Sequence, residues 1–226
     1  MKTIKFLLVA CLLGMAATAS AQFANSGAAG GDSSDAETWS GIRLSYNPIS
    51  INPDEGDGLD MTGFSLGYVK SFGVSSSLPL FVETGLNLTY ATWSEEGEIN
   101  YEGYDIRVED KVTSFSAYIP VNFGYKYTVN ETVSLFPYVG LTLRGGISAK
   151  EKVTVEYDGE SESEEYNLYD KDEVENTLKR FQIGWQIGVG AHIKQFYVGA
   201  SYGSDFSELA KKVKASVPAI TIGYNF

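Results

Sequence analysis

The chain ends in Ile220-Thr221-Ile222-Gly223-Tyr224-Asn225-Phe226, where apolar or aromatic residues take every second position. Successive side chains of a β-strand point to opposite faces, so this alternation predicts a strand with one apolar and one polar face. A closing aromatic residue is typical of the last strand of a membrane-spanning β-barrel, whose apolar face contacts lipid. Ile220, Ile222, Tyr224 and Phe226 would form the lipid-facing side of this last strand.

The N-terminal segment has the three parts of a secretory signal peptide. Lys2 and Lys5 precede an apolar run at 6–17, and a small-x-small cleavage site follows at Ala19 and Ala21. We expect residues 1–21 to be removed after export.

Residues 22–37 are small and polar and are predicted to form a flexible periplasmic lead, while 38–226 form one β-barrel domain. Cys11 is the only cysteine, and Leu8-Val9-Ala10-Cys11 offers an alternative reading as a lipoprotein cleavage box. Cleavage at Ala21 is favoured because the lipoprotein cut would leave a very short apolar core. The mature chain then has no disulfide and no thiol nucleophile.

Two-residue periodicity continues through most of the mature chain. In the segment 80–90, Leu86 and Leu88 lie on one face and Glu83 and Asn87 on the other, which suits lipid outside and a polar lumen inside. There are eight such segments, and bacterial single-chain barrels have an even number of strands. The predicted strands are 38–47, 61–71, 80–90, 112–127, 133–145, 180–193, 196–203 and 215–226.

The connections between these segments alternate in length, which is typical of short periplasmic turns and long outer loops. Of the 29 acidic residues, 22 lie in the three long connections 48–60, 91–111 and 146–179. Within the last of them, 153–157 also alternates, so we expect strands five and six to extend there as a hairpin above the membrane.

Charge and hydropathy exclude several classes of protein. The net charge is −12, and it becomes −14 when Lys2 and Lys5 leave with the signal peptide. Nucleic-acid binding needs a basic face and is not expected. Outside the signal peptide, no apolar run approaches the roughly 20 residues that a membrane-spanning helix needs.

The chain resembles the small outer-membrane β-barrel domains of Bacteroidetes, a family that includes PorT-like proteins. The resemblance covers nearly all of the mature chain and implies an outer-membrane location in a Gram-negative bacterium, a possible role in secretion by analogy only, and no catalytic residues. It is carried by the stretches 118–127 and 136–141, by Gly184-x-x-x-Gly188-x-Gly190 continuing to Tyr197-Val198-Gly199-Ala200-Ser201-Tyr202, and by Gly223-Tyr224-Asn225-Phe226. The last stretch resembles the assembly signal of such barrels, which implies that Ile220, Ile222, Tyr224 and Phe226 are recognised by the barrel-assembly machinery.

Four charged residues have the parity of the lumen face. Glu83 is an acid well inside a strand, and a buried carboxylate needs a partner, for which Lys126 is suitably placed. Arg43 and Arg144 share this parity. We predict that the four form a polar network that fills the lumen, since an eight-stranded barrel has little spare bore.

His192, the only histidine, is placed at the periplasmic end of the sixth strand as a polar residue of the lumen floor. Barrel hydrolases of similar size use a histidine near the outer rim, so we predict no enzyme and no cofactor. The acidic segment 54–60 lacks the ligand spacing of a calcium loop and predicts no dedicated metal site, although acidic loops could bind divalent cations weakly.

The sequence thus predicts an all-β fold, an eight-stranded antiparallel up-and-down transmembrane β-barrel with long acidic outer loops. Its predicted role is non-enzymatic, structural or in surface interaction, with outer-membrane lipid and lipopolysaccharide as surroundings and an unidentified surface ligand. A narrow pore for small solutes and a soluble lipocalin-like ligand-binding barrel are the alternatives. The lipocalin-like fold would place its apolar side chains inside.

Overall fold

A computed structural model describes residues 38–53, 58–75, 77–101, 104–157, 160–174, 177–210 and 213–226. Several predictions concern residues outside these ranges and stay predictions: the signal peptide with Ala19 and Ala21, the alternative at Cys11, the lead 22–37, and the acids of 54–57.

Within the described residues the chain is almost entirely strand and contains no helix long and apolar enough to cross a membrane. The strands are β1 Ser40–Tyr46, β2 Ile49–Pro53, β3 Leu59–Gly73, β4 Leu80–Tyr101, β5 Tyr104–Tyr125, β6 Tyr127–Thr128, β7 Val133–Tyr157, β8 Glu160–Asn167, β9 Phe181–Ile193, β10 Phe196–Asp205 and β11 Val213–Asn225.

These strands form one closed antiparallel ring of eight positions. The order around it is β1-β11-β10-β9-β7-β5-β4-β3, and β1 pairs with both β11 and β3. β2 continues the position of β1 between β11 and β3, while β6 and β8 are short partners of β7. Closure leaves no unpaired edge within the ring, and the predicted eight-stranded barrel is confirmed.

Short turns connect the strands at one end of the barrel, which we call the short-turn end. There β9 and β10 are joined by Lys194 and Gln195 alone, with Lys194 at φ 56°. The residues 129–132 make a second tight connection, in which Asn130 Oδ1 accepts hydrogen bonds from the backbone N–H groups of Thr132 and Val133, both at 2.9 Å. Both chain ends of the described barrel lie here, since Phe226 N–H donates to Ser40 O at 3.0 Å.

The connections at the opposite end are more ordered than the sequence predicts. The interpretation of 91–111 as a loop is wrong, because β4 and β5 stay paired from Thr92↔Thr113 to Tyr101↔Tyr104. The connection 146–179 also begins as strand, because β7 continues to Tyr157. A hairpin forms there as expected, but its second arm is the separate strand β8 and not an extension of the sixth predicted strand, since β9 begins at Phe181. We call the resulting four-stranded extension, made of 93–101, 104–112, 148–157 and β8, the outer sheet.

A β-bulge separates the barrel from the outer sheet. Ser116 pairs with Gly146, but Phe115 pairs with Ser148, so Ile147 is an extra residue on β7. One inserted residue exchanges the two faces of the strand beyond it. Leu143 is therefore exposed on the barrel exterior, whereas Ala149, also at an odd position, is buried.

The exterior of the barrel is apolar and the interior is polar. Leu66 is 58% exposed and Ile220 is 62% exposed, whereas Ser65 and Asn87 are both 3% exposed. This orientation contradicts the lipocalin-like alternative, in which apolar side chains line the interior. In β9 the outward apolar residues run from Phe181 to Ile193, about 40 Å along the strand and about 30 Å when tilted by ~40°, which is enough for a bilayer core.

Candidate functional site: lumen and outer sheet

The lumen is filled with aromatic rings near the short-turn end. Trp39 lies 5.0 Å from Phe81, 4.9 Å from Phe136 and 5.0 Å from His192 between ring centroids. His192 in turn lies 4.1 Å from Phe136 and 5.6 Å from Tyr197. Four of these distances lie within the roughly 4.5–7 Å that is typical of packed aromatic pairs, and the His192–Phe136 pair is closer still. We call these five residues the aromatic floor.

A charged pair lies directly above this floor. Arg43 Nη2 is 3.9 Å from Glu83 Oε2, and the two side chains are 4% and 12% exposed. Trp39 Nε1–H donates a hydrogen bond to the same Glu83 oxygen at 3.0 Å, so the indole orients the carboxylate. The Arg43 guanidinium also stacks over the Tyr197 ring, at 4.0 Å from the centroid. The carboxylate thus has both a charge partner and a hydrogen-bond donor, as a buried charge requires.

Of the other two predicted network residues, Arg144 lies toward the far end of the barrel and Lys126 at the short-turn end. Arg144 Nη1 contacts Asp205 Oδ2 at 3.3 Å toward the far end of the barrel, where Asp205 is 2% exposed. Lys126 is half-buried between β5 and β6 at the short-turn end, and its backbone N–H donates to Pro79 O at 2.8 Å. The structure therefore brings Arg43 and Glu83 together and gives Arg144 a separate partner.

Between these two charged pairs, neutral polar side chains bridge the strands. Gln186 Nε2 donates to Asn122 Oδ1 at 2.5 Å, and Ser65 Oγ donates to Asn47 Oδ1 at 3.0 Å. A cavity of about 40 Å³ lies beside Arg144 and Asp205, with Tyr118, Trp185 and Gln186 among its lining. That volume has room for about one water molecule.

Glycines make the remaining space for tyrosine rings inside the lumen. A Cβ added to Gly188 would lie 2.5 Å from the Tyr138 ring, and one added to Gly190 would lie 2.5 Å from the Tyr197 ring. The space beside these two inward glycines of β9 is therefore filled by tyrosine rings from β7 and β10.

The far end of the barrel is overlaid by the connection that follows β8. Leu168 N–H donates to Ala149 O at 3.0 Å, and Leu178 N–H donates to Leu168 O at 2.8 Å. The Arg180 guanidinium stacks on Tyr169 at 4.1 Å, and burial raises the pKa of the Tyr169 phenol.

The outer sheet carries many of the acidic residues that the sequence analysis placed in loops. They lie on paired strands rather than on free loops. Glu98, for example, lies directly opposite Arg107 in the pairing of β4 with β5. Within the described residues, no group of three or more His, Cys, Asp or Glu side chains has the arrangement of a metal site. This statement does not cover the acidic residues of 54–57, which lie outside the described ranges.

Sequence reasoning missed Trp39 and Asp205. Trp39 precedes β1, but it shares the odd parity of Arg43, which could have placed it inside. Asp205 had been assigned to a loop because the alternation of apolar residues fades after Gly203. In the structure it is the last residue of β10 and pairs with Gly184.

The comparisons with known proteins agree with this architecture. The family model described as outer membrane protein beta-barrel domain matches residues 7–226. A search of curated proteins found no match.

Several solved structures are similar in fold. Ail, the attachment invasion locus protein of Yersinia pestis, solved with the heparin analogue sucrose octasulfate, is 22% identical with a TM-score of 0.40, over 84% of this chain and 99% of that chain. Neisserial surface protein A, NspA, is 12% identical with a TM-score of 0.39, over 83% and 97%. The N-terminal barrel domain of Pseudomonas aeruginosa OprF is 18% identical with a TM-score of 0.28, over 81% and 97%.

The match of the family model to almost the whole chain, on a barrel with an apolar exterior, identifies the location of the protein as the outer membrane. The chain belongs to the outer membrane protein beta-barrel domain family.

Proposed function

We propose that this protein is a non-enzymatic surface-interaction protein whose lumen is closed and whose outer sheet meets partners outside the cell. The observation that carries the proposal is the division of the chain into two parts. The barrel is filled by its own side chains, and β4, β5 and β7 continue beyond the apolar exterior, where they form a charged sheet with β8.

The filled lumen supports a closed barrel over the narrow-pore alternative. The aromatic floor spans the interior at the periplasmic end, and the Arg43–Glu83 pair covers it. An eight-stranded barrel is just wide enough for its interior side chains. Opening a path for ions would require breaking both layers, so we expect the barrel to conduct no steady current.

The surroundings of His192 support the absence of enzymatic activity. Its ring contacts Trp39, Phe136 and Tyr197, and among the described residues its Nε2 has no hydrogen-bond partner. A general base needs a proton donor or acceptor within reach and access to substrate. Because His192 Nε2 is buried without such a partner among the described residues, it forms no catalytic dyad there.

We propose lipopolysaccharide as the partner of the outward surface of the outer sheet, which continues the lipid-facing exterior of the barrel. Lys111 and Lys152 are exposed and lie directly opposite each other in the register of β5 and β7. Neither forms an ion pair with the part of the chain that the structure describes. Like charges in cross-strand positions repel, and a phosphate between them would relieve the repulsion. Replacing both with glutamine should weaken binding of purified lipopolysaccharide.

Export and insertion follow from the two chain ends. The signal peptide 1–21 would direct export, and the strand of Ile220, Ile222, Tyr224 and Phe226 would be recognised by the barrel-assembly machinery. The last strand pairs with β1 and β10, which is the arrangement that closes the ring. The PorT-like resemblance rests on loose motifs and stays a prediction, as does any role in secretion.

Planar-bilayer recording on the purified protein tests the closed lumen. We expect no steady single-channel current, whereas large and steady conductance would make the protein a pore. A variant whose outer sheet is replaced by short turns, at 95–109 and 152–164, tests the surface role in intact cells. The surface role fails if cells carrying the full and the trimmed barrel bind equally to every protein of an immobilised panel.

A further inference from the structure

The two faces of the outer sheet differ in charge. Residues that pair directly across strands share a face, so the register assigns each side chain. One face continues the lipid-side exterior of the barrel and is called the lipid-side face. The other continues the lumen lining, lies above the barrel mouth and is called the mouth-side face.

All four basic residues of the outer sheet lie on the lipid-side face. They are Arg107, Lys111, Lys150 and Lys152, and they are mixed there with Glu96, Glu98, Glu109, Glu156 and Glu165. Three ion pairs form among them: Arg107 contacts Glu98 at 3.0 Å and Glu156 at 3.8 Å, and Lys150 contacts Glu165 at 2.5 Å. This face is therefore close to neutral and largely paired with itself.

The mouth-side face has acids and no Lys or Arg among the described side chains of the outer sheet. Its acids are Glu95, Asp110, Glu151, Glu160, Glu162 and Glu164, and valines at 108, 112, 153 and 155 lie between them. This face thus combines uncompensated negative charge with an apolar surface, of which Val155 is 39% exposed.

The acids of the mouth-side face are close together. Glu95 and Asp110 are direct cross-strand partners, and Asp110 Oδ1 is buried with no hydrogen-bond partner among the described residues. Burial, and next the negative charge of Asp110, raise the pKa of Glu151. A hydrogen bond joins the side chains of Glu151 and Asp110, but no basic side chain of the outer sheet faces them. Like charges placed opposite each other in a sheet are destabilising, so the negative charge of this face is uncompensated in the free protein.

We infer that the mouth-side face of the outer sheet binds a cationic amphipathic segment of an external protein, in which Lys or Arg alternates with apolar residues. The inference rests on the proposed surface-interaction function and names the face and the chemistry of the partner. Alternation matches the sheet, since every second side chain of an extended segment would meet the acids and valines. A polyanion is disfavoured by the charge of this face.

The edge of the sheet also favours an extended partner. β8 pairs with β7 and with no other described strand, so the second edge of Glu160–Asn167 presents backbone groups without strand partners. An extended peptide can add to such an edge while its side chains reach the mouth-side face. The acids of β8 would select a basic peptide over a neutral one.

Two pairs of acids in the same hairpin provide a matched test. Glu95 and Asp110 face each other on the mouth-side face, and Glu96 and Glu109 face each other one position away on the lipid-side face. The variants E95Q/D110N and E96Q/E109Q remove equal charge from the same two strands. Each relieves a cross-strand repulsion, so both barrels should fold as well as the parent.

The probe is an eight-residue peptide of alternating Lys and Val, titrated against the full mature barrel in nanodiscs of zwitterionic lipid at about 150 mM salt. A change in tryptophan fluorescence reports binding, because one of the three tryptophans, Trp93, pairs with Val112 on the mouth-side face, and calorimetry gives the affinity. We expect E95Q/D110N to weaken binding about fivefold and E96Q/E109Q less than twofold, because charges on the opposite face are screened over a Debye length of about 8 Å.

Three results would overturn the inference. An equal loss in both variants would mean that only total charge matters, and no binding of the peptide would mean that the face has no such ligand. Concentration-dependent dimerisation that blocks the peptide would mean that a second copy covers the face. If the barrel stays closed in bilayer recordings and the trimmed variant still loses surface binding, the proposed function survives each of these results.

Discussion

Replacing Glu83 with alanine tests whether the lumen is held by charge pairing. Arg43 would lose its charge partner 3.9 Å away, and Trp39 would lose the acceptor of its 3.0 Å hydrogen bond. The substitution leaves an arginine whose side chain is 4% exposed with no carboxylate beside it. Removing one partner of a buried pair is far more costly than removing both.

The expected size of the effect follows from the distance and the burial. At 3.9 Å and an effective dielectric constant of ~20, two unit charges attract by about 4 kcal/mol. The measured cost of breaking a buried pair is about 3–5 kcal/mol, and the stacking of Arg43 on Tyr197 offsets part of it. We expect E83A to lower the free energy of unfolding by about 3 kcal/mol.

The assay is reversible urea unfolding of the purified barrel in lipid vesicles, followed by tryptophan fluorescence and far-UV circular dichroism. E98A is the control, because the Glu98 side chain is 69% exposed, and it should change stability by less than about 0.5 kcal/mol. The double variant R43M/E83L should recover most of the loss, since neither charge is then left alone. A loss below about 1 kcal/mol for E83A, or a double variant no more stable than E83A, would refute the reasoning.

Three further changes follow from the described contacts. Gly190→Val should destabilise the barrel by about 1–3 kcal/mol in the same assay, because its Cβ would lie 2.5 Å from the Tyr197 ring, and Gly190→Ala should cost less. The raised pKa of Glu151 beside Asp110 means that protonation of Glu151 stabilises the outer sheet. The backbone amides of the outer sheet should therefore be more protected from hydrogen exchange below that pKa than above it, after correction for intrinsic exchange rates. The variant E151Q should remove this difference. Deleting Phe226, 68% exposed at the rim, should reduce the amount of folded barrel in cells but not refolding of the purified chain, and unchanged insertion would contradict its role as an assembly signal.

The eight positions of the barrel could be predicted because lipid imposes a strict rule on each strand. An outward residue must be apolar, so Leu86 and Leu88 mark one face of β4 and Asn87 and Thr89 the other. The rule fails where the strands enter water. From Ser94 onward β4 has charged residues on both faces, and no apolar alternation distinguishes such a strand from a loop.

Parity also placed the lumen residues, but it could not supply their partners. Arg43 and Glu83 were assigned to the interior from their positions alone, and both are buried. Which side chains meet across the lumen depends on the shear of the barrel and on side-chain rotamers. The alternation of residues along a single strand specifies neither. Trp39 and Glu83 are 44 residues apart, and Arg144 and Asp205 are 61 apart.

The bulge at Ile147 reverses the two faces of β7 between the barrel and the outer sheet. Along β7 the apolar residues keep odd numbers throughout, from Leu143 in the barrel to Val153 in the outer sheet. Without the extra residue those valines would face the lipid side and Lys152 would face the mouth. The bulge turns the valines toward the mouth-side face and Lys152 toward the lipid-side face. Deleting Ile147 should therefore exchange the two faces of β7 beyond it, and would remove both the acidic mouth-side surface around Glu151 and the paired lysines, while leaving the composition of the outer sheet unchanged.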